Sequence, residues 1–353
     1  MAIGRPARPR RRLERTKLTR TAFLRAPALV AAVLLPLVGS GALEGSHAWL
    51  PSVKQDVAQV ASTVATGVNG LVRNAADAAD PGRRKAVHLE SGAARTSARL
   101  ADASPADRAD VLAAAAASGP LQRPYVLKAF AAGHSADEVV RFASLIRGKK
   151  PTWLRTHLSL VDADRHSLVT YHAALVRQVD NTTCGSTAIL MSRAIVDPIY
   201  ALYLTTGGTD DPMAARNGPF EARLAAEEER IHDSTNSLWP KKFGTTPSGV
   251  SAELNRNAKT LGTRYQARLV EHGRSQPLRD AVAAARYSQP VPVLIGDWLP
   301  RHYVLLIGAS RGDLLFYEPT AATLVRLDVQ DFLAGKVKAL GFPHVQAVIT
   351  PSR

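Results

Sequence analysis

One cysteine, Cys184, is all that 353 residues contain. No internal disulfide can form, so the disulfide-stapled secreted class is excluded. The chain has no HExxH sequence and no Cys/His set at zinc-ligand spacing, which removes sequence support for metal-assisted hydrolysis and zinc-finger recognition. A glycine-rich phosphate loop ending in lysine is missing too, as is any internal repeat. No metal and no cofactor is expected.

Acidic residues are scarce beside basic ones, 30 against 45, for a net charge of +15. Such an excess first suggests nucleic acid or an anionic membrane. It is unevenly placed, however. The stretch from Arg5 to Arg25 carries nine basic residues and one acid, about half of the whole excess. The remainder holds no RNA-binding signature. No nucleic-acid partner is therefore expected, and a basic nucleic-acid-binding protein ranks third among the readings.

The basic segment, residues 1–25, is followed by an uncharged apolar one, Ala26 to Leu43. Its length is at the short end for a bilayer span of about 20 residues. Basic residues ahead of an apolar stretch hold that side in the cytoplasm. Residues 26–43 thus read as a transmembrane signal anchor, or as a signal peptide cut after Ala42 or Ala48. The expected location is membrane-anchored with the bulk of the chain extracytoplasmic, or secreted if the signal is cleaved. A lone thiol in that compartment points to reactivity or intermolecular pairing.

Residues 44–161 read as a helical module with a linker. Val57, Val60, Val64, Val68 and Leu71 recur at helical spacing. The polar stretch around Pro81-Gly82, up to Pro105, reads as linker. Ser104-Pro105 starts a helix, Ser135 and Glu138 form a capping box for another, and Gly148 ends it. His134 and His157 are read as solvated or core residues rather than ligands.

From about Asp162 to the C-terminus the pattern changes. A long apolar helix follows Cys184, bent or restarted at Asp197-Pro198. More helices come next, and then β-rich runs such as "PVPVLIGDW", "HYVLLIGAS" and "RGDLLFYEP". Helices first and antiparallel strands later predict an α+β domain.

Cys184 stands where a nucleophile can work. Asn181, Thr182 and Thr183 can cap a helix, and Gly185 lets a substrate approach the backbone. Asn181-Thr182-Thr183 also matches a glycosylation sequon, but the capping reading is preferred. A helix N-terminus stabilises a thiolate through its dipole. A buried, inert core cysteine fits the same pattern. The base has to be a histidine. His302 opens a strand just after a turn, which fixes its direction and leaves the ring accessible; His172 is the runner-up. Glu318 ends the next strand, where it can orient His302. Gln178, six residues before Cys184, can fold back and supply an oxyanion donor together with the Cys184 N–H. Each of these three also has a bland reading, as a strand, turn or surface residue.

The sequence Gln178-x5-Cys184-Gly185, a strand led by His302 and a strand ending in Glu318-Pro319 resemble the papain-like cysteine peptidases of the bacteriocin-processing, double-glycine leader type. The resemblance covers about Asp162 to the C-terminus. It implies a papain-like fold, with the cysteine on the N-terminal helix of the domain and the histidine on its antiparallel sheet. Carried over, Cys184 is the nucleophile, His302 the base, Glu318 the third member and Gln178 the oxyanion residue. A peptide or protein is the implied substrate. Two features depart from the family: Glu replaces the usual Asp, and the stretch between Cys184 and His302 is long. They motivate a rival reading, in which the same fold is catalytically silent and binds a peptide or envelope partner.

Overall fold

Strand-forming residues dominate the last third of the chain, and they make one six-stranded sheet in the order β3-β8-β4-β5-β6-β7 with every neighbouring pair antiparallel. The strands are β3 (Tyr265–Leu269), β4 (Val291–Gly296), β5 (Pro300–Ser310), β6 (Asp313–Glu318), β7 (Thr323–Asp328) and β8 (His344–Pro351). This computed structural model describes residues 90–161, 168–209, 219–236, 244–271, 276–310 and 312–352, all within one compact unit. The basic segment 1–25, the apolar segment 26–43 and the valine-spaced stretch Val57–Leu71 lie outside the described residues. Among the described residues no single helix is long and apolar enough to cross a membrane.

Alternation along the strands gives the sheet two apolar faces. Leu294, Tyr303, Leu305, Leu315, Tyr317 and Ile349 share one core with α6 (Cys184–Val196) and its neighbours. Val293, Val304, Leu306, Phe316 and Val348 share the other with α11 (Gln276–Arg286) and α12 (Val329–Leu333). The fold is α+β, as expected: helices lie on both sides of an antiparallel sheet.

The long apolar helix breaks at the expected place. Asp197 accepts the Ile199 and Tyr200 N–H groups and caps α7 (Pro198–Thr206), which turns 117° from α6. Beyond it lie α8 (Phe220–Thr235), α9 (Pro247–Arg256) and α10 (Ala258–Leu261). The stretch before Cys184 forms only the two-residue strands β1 (Thr170–Tyr171) and β2 (Ala174–Leu175).

Ahead of these lies the helical module: α1 (Glu90–Asp102), α2 (Pro105–Ala117), α3 (Arg123–Ala131), α4 (Ala136–Ile146) and α5 (Pro151–Leu158). Ser104 caps α2, and Ser135 with Glu138 makes the predicted capping box on α4. The module's core also takes in Leu202 of α7. α1 corrects the reading of this stretch as linker. It is held by tertiary contacts and not by apolar periodicity: Arg95 donates to Thr260 O, Arg99 donates to His134 O, and Leu100 is buried. β3 was not legible either, since only Tyr265 of its five residues is buried.

Candidate active site

α6 begins at Cys184 itself, and the side chain of Thr183, its N-cap residue, makes no capping bond. This corrects the capping reading of Asn181 to Thr183. The Thr183 hydroxyl donates to Asp180 O and accepts the Asp180 N–H, while Asp180 Oδ1 accepts the N–H and hydroxyl of Thr182. The polar turn is closed upon itself, and the helix dipole is left for the cysteine. Gly185 also differs from expectation. A Cβ there would lie 3.0 Å from Thr245 Cβ and 3.2 Å from Tyr303 Cδ2, so the glycine serves packing against β5 rather than substrate approach. That packing sets the first turn of α6 against the strand that carries the histidine.

His302 sits near the start of β5, opposite Ile295 of β4. Glu318 ends β6, and the pairing of Leu305 with Tyr317 brings that end beside the start of β5. His302 Nε2 and Glu318 Oε1 are 2.7 Å apart. The Cys184 side chain lies beside the same ring and interacts with it electrostatically. Glu318 engages Nε2, which leaves Nδ1 as the ring nitrogen not bonded to the carboxylate. Burial pulls the His302 pKa down, but the interactions with Cys184 and Glu318 outweigh it and raise the value to about 9. Burial pushes Glu318 up, yet His302 and the N–H groups of Ala321 and Thr320 hold it down at about 2.

Gln178 is buried and reaches the same turn. Its N–H donates to Pro319 O, its Oε1 accepts the Thr320 hydroxyl at 3.2 Å, and its Nε2 donates to Asp180 O at 2.7 Å. A side-chain amide has two N–H donors, so one remains for a ligand. The turn after Glu318 thus ties the carboxylate and Gln178 together. His172 is excluded as the base: it lies at the tip of the β1–β2 hairpin with φ of 52°, its ring against Tyr171 and His157.

Sequence reasoning missed Glu228 on α8. In a helix of alternating charges it looks solvated, yet it is fully buried, and its Oε2 accepts the Val179 N–H at 2.9 Å. Burial raises its pKa to about 7, against the lowering effect of the Val179 N–H bond. It braces the backbone directly after Gln178. Thr320 and Ala321 were missed as well, because their part is played largely by backbone N–H groups.

Among the described residues no group of His, Cys, Asp and Glu is arranged to hold a metal ion. The arrangement is a thiol, an imidazole and a carboxylate in series, a set whose chemistry can serve acyl transfer. No protein-family model, curated protein or solved structure matches this chain.

Proposed function

We propose that the protein is a papain-like thiol hydrolase that cuts a peptide or amide bond of a peptide or protein substrate. The observation that supports this best is His302, hydrogen-bonded to a carboxylate and interacting with the only thiol in the chain. With a pKa of about 9, the ring keeps its proton at neutral pH, and an imidazolium beside the sulfur is the partner a cysteine nucleophile needs. The sulfur attacks the carbonyl carbon and forms a C–S bond. The oxygen takes up the negative charge, met by the remaining Gln178 N–H and the Cys184 backbone N–H. As the C–N bond breaks, His302 gives its proton to the leaving amine. A water, deprotonated by His302, then hydrolyses the thioester, releases the acid and restores the pair. Glu318 holds the ring in the required orientation throughout.

On this reading residues 1–25 are cytoplasmic, residues 26–43 enter the membrane, and the catalytic part works outside the cytoplasm. The experiment is digestion of a broad peptide library by the full-length protein, read by mass spectrometry. Wild type should cut a restricted set, and Cys184→Ala should cut none of it. Equal cleavage by both would overturn the proposal. Peptide capture without turnover, surviving loss of the thiol, would favour the silent binding domain.

A further inference from the structure

At the end of α6 opposite Cys184, helices α6 to α9 and His134 of the module enclose an open cleft of about 460 Å3. Its carboxylates are already satisfied. Glu227 accepts the Tyr200 hydroxyl at 2.8 Å and both Nε and Nη2 of Arg230, at 2.9 and 2.8 Å. Glu253 accepts the Ser234 hydroxyl at 2.5 Å and Nη1 of Arg256. The donors are not used up. Arg193, which also lines the cleft, forms an ion pair with the buried Asp197, whose Oδ2 lies 3.8 Å from Nε, and makes no hydrogen bond among the described residues. A guanidinium has five N–H donors in a fixed fork. This one is held in place, with its plane over Tyr200 and Cζ 3.9 Å from the ring centroid, and its side chain is 30% exposed.

With Glu227 and Glu253 of the cleft already engaged and the Arg193 N–H donors not hydrogen-bonded, the cleft favours an anion. A planar carboxylate matches the fork through two parallel bonds. Beside it, Ile199 and Tyr203 offer an apolar wall of the cleft. A cavity of this volume suits a molecule the size of an amino-acid derivative. We propose that this cleft binds a small organic carboxylate with an apolar body, anchored by Arg193, at a site separate from the candidate active site. The proposal stands independently of the thiol chemistry.

The test is the thermal midpoint of the full-length protein titrated with N-acetylphenylalanine, with its uncharged amide and with inorganic phosphate. The carboxylate should raise the midpoint to saturation, the amide should have no effect, and phosphate should act more weakly. Arg193→Gln should raise the half-saturating concentration about tenfold or more, and Arg193→Lys, which keeps charge but loses the fork, should fall between. Because Arg193 also packs on Tyr200, both variants are to be checked for folding by circular dichroism and titrated calorimetrically below their midpoints. An unchanged midpoint with N-acetylphenylalanine overturns the proposal. So does an equal response to the amide, tighter binding of phosphate, or wild-type affinity in both folded variants.

Discussion

Replacing Glu318 by glutamine removes one charge and changes one donor, and the surroundings allow no neutral outcome. Oε1 faces His302 Nε2 and the Thr320 N–H, while Oε2 faces the Ala321 N–H at 2.7 Å. If the amide oxygen stays toward His302, the new NH2 opposes the Ala321 N–H. If the amide flips, NH2 points at Nε2, which must then give up its proton and become an acceptor. Either way the imidazolium loses a charge-assisted bond, which is worth about 1.5–3 kcal/mol. At about 1.4 kcal/mol per pH unit, the His302 midpoint should fall from about 9 to about 7–8. It should not return fully to the ordinary value, because Cys184 also raises it. The assay is an NMR titration of the histidine C2 protons, with His302→Ala identifying the resonance. At pH 7, turnover should fall. A midpoint that stays at about 9 would refute the role given to Glu318.

Gly185→Ala forces a Cβ to within 3.0 Å of Thr245 and 3.2 Å of Tyr303, so it should cost about 1–3 kcal/mol in urea unfolding and lower peptide turnover by shifting the start of α6. Asp197→Ala removes the cap of α7 and the 2.9 Å partner of His134, and it leaves the buried Lys128 without a neighbouring countercharge; a loss of about 3–5 kcal/mol is expected by the same measurement. His302 and Glu318 also set a pH window for stability. His302 is raised in the fold, so its stabilisation is complete below its ordinary pKa of 6.5 and is lost as pH rises through about 9. Glu318 is lowered, so its stabilisation is complete above 4.5 and is lost as pH falls toward 2. Calorimetric midpoints should therefore decline above pH 6.5 in wild type, and that alkaline decline should be smaller in His302→Ala.

The parts of the site on regular elements were legible in the sequence. Cys184 follows a polar turn and precedes an apolar helix, while His302 and Glu318 stand at the ends of strands whose alternation is plain. Their registers follow from short turns, so the spatial meeting of the two was predictable. What fills space or bonds through the backbone was not. Gly185 reads equally as an open approach or as room for Tyr303, and only the packing decides. Thr183 has the chemistry of a cap but spends its hydroxyl on Asp180. Glu228 carries no sign of burial in a charged helix, because its partner is a backbone N–H 49 positions away. α1 and β3 take their stability from contacts made late in the chain or across it, and neither shows a strong periodic pattern of its own.

The central claim is that Cys184 is a nucleophile activated by His302, and the lone thiol gives it a direct test. Thiol alkylation of the protein by iodoacetamide reports on Cys184 alone. The labelling rate is to be measured against pH in wild type, His302→Ala and Glu318→Gln. A thiolate held by an imidazolium reacts well below neutral pH, whereas a free thiol reacts appreciably only near its pKa of about 8.5. Wild type should label well below the free-thiol range, His302→Ala should follow the free-thiol profile, and Glu318→Gln should fall between them. Superimposable profiles in wild type and His302→Ala would mean that the two residues do not act as a pair.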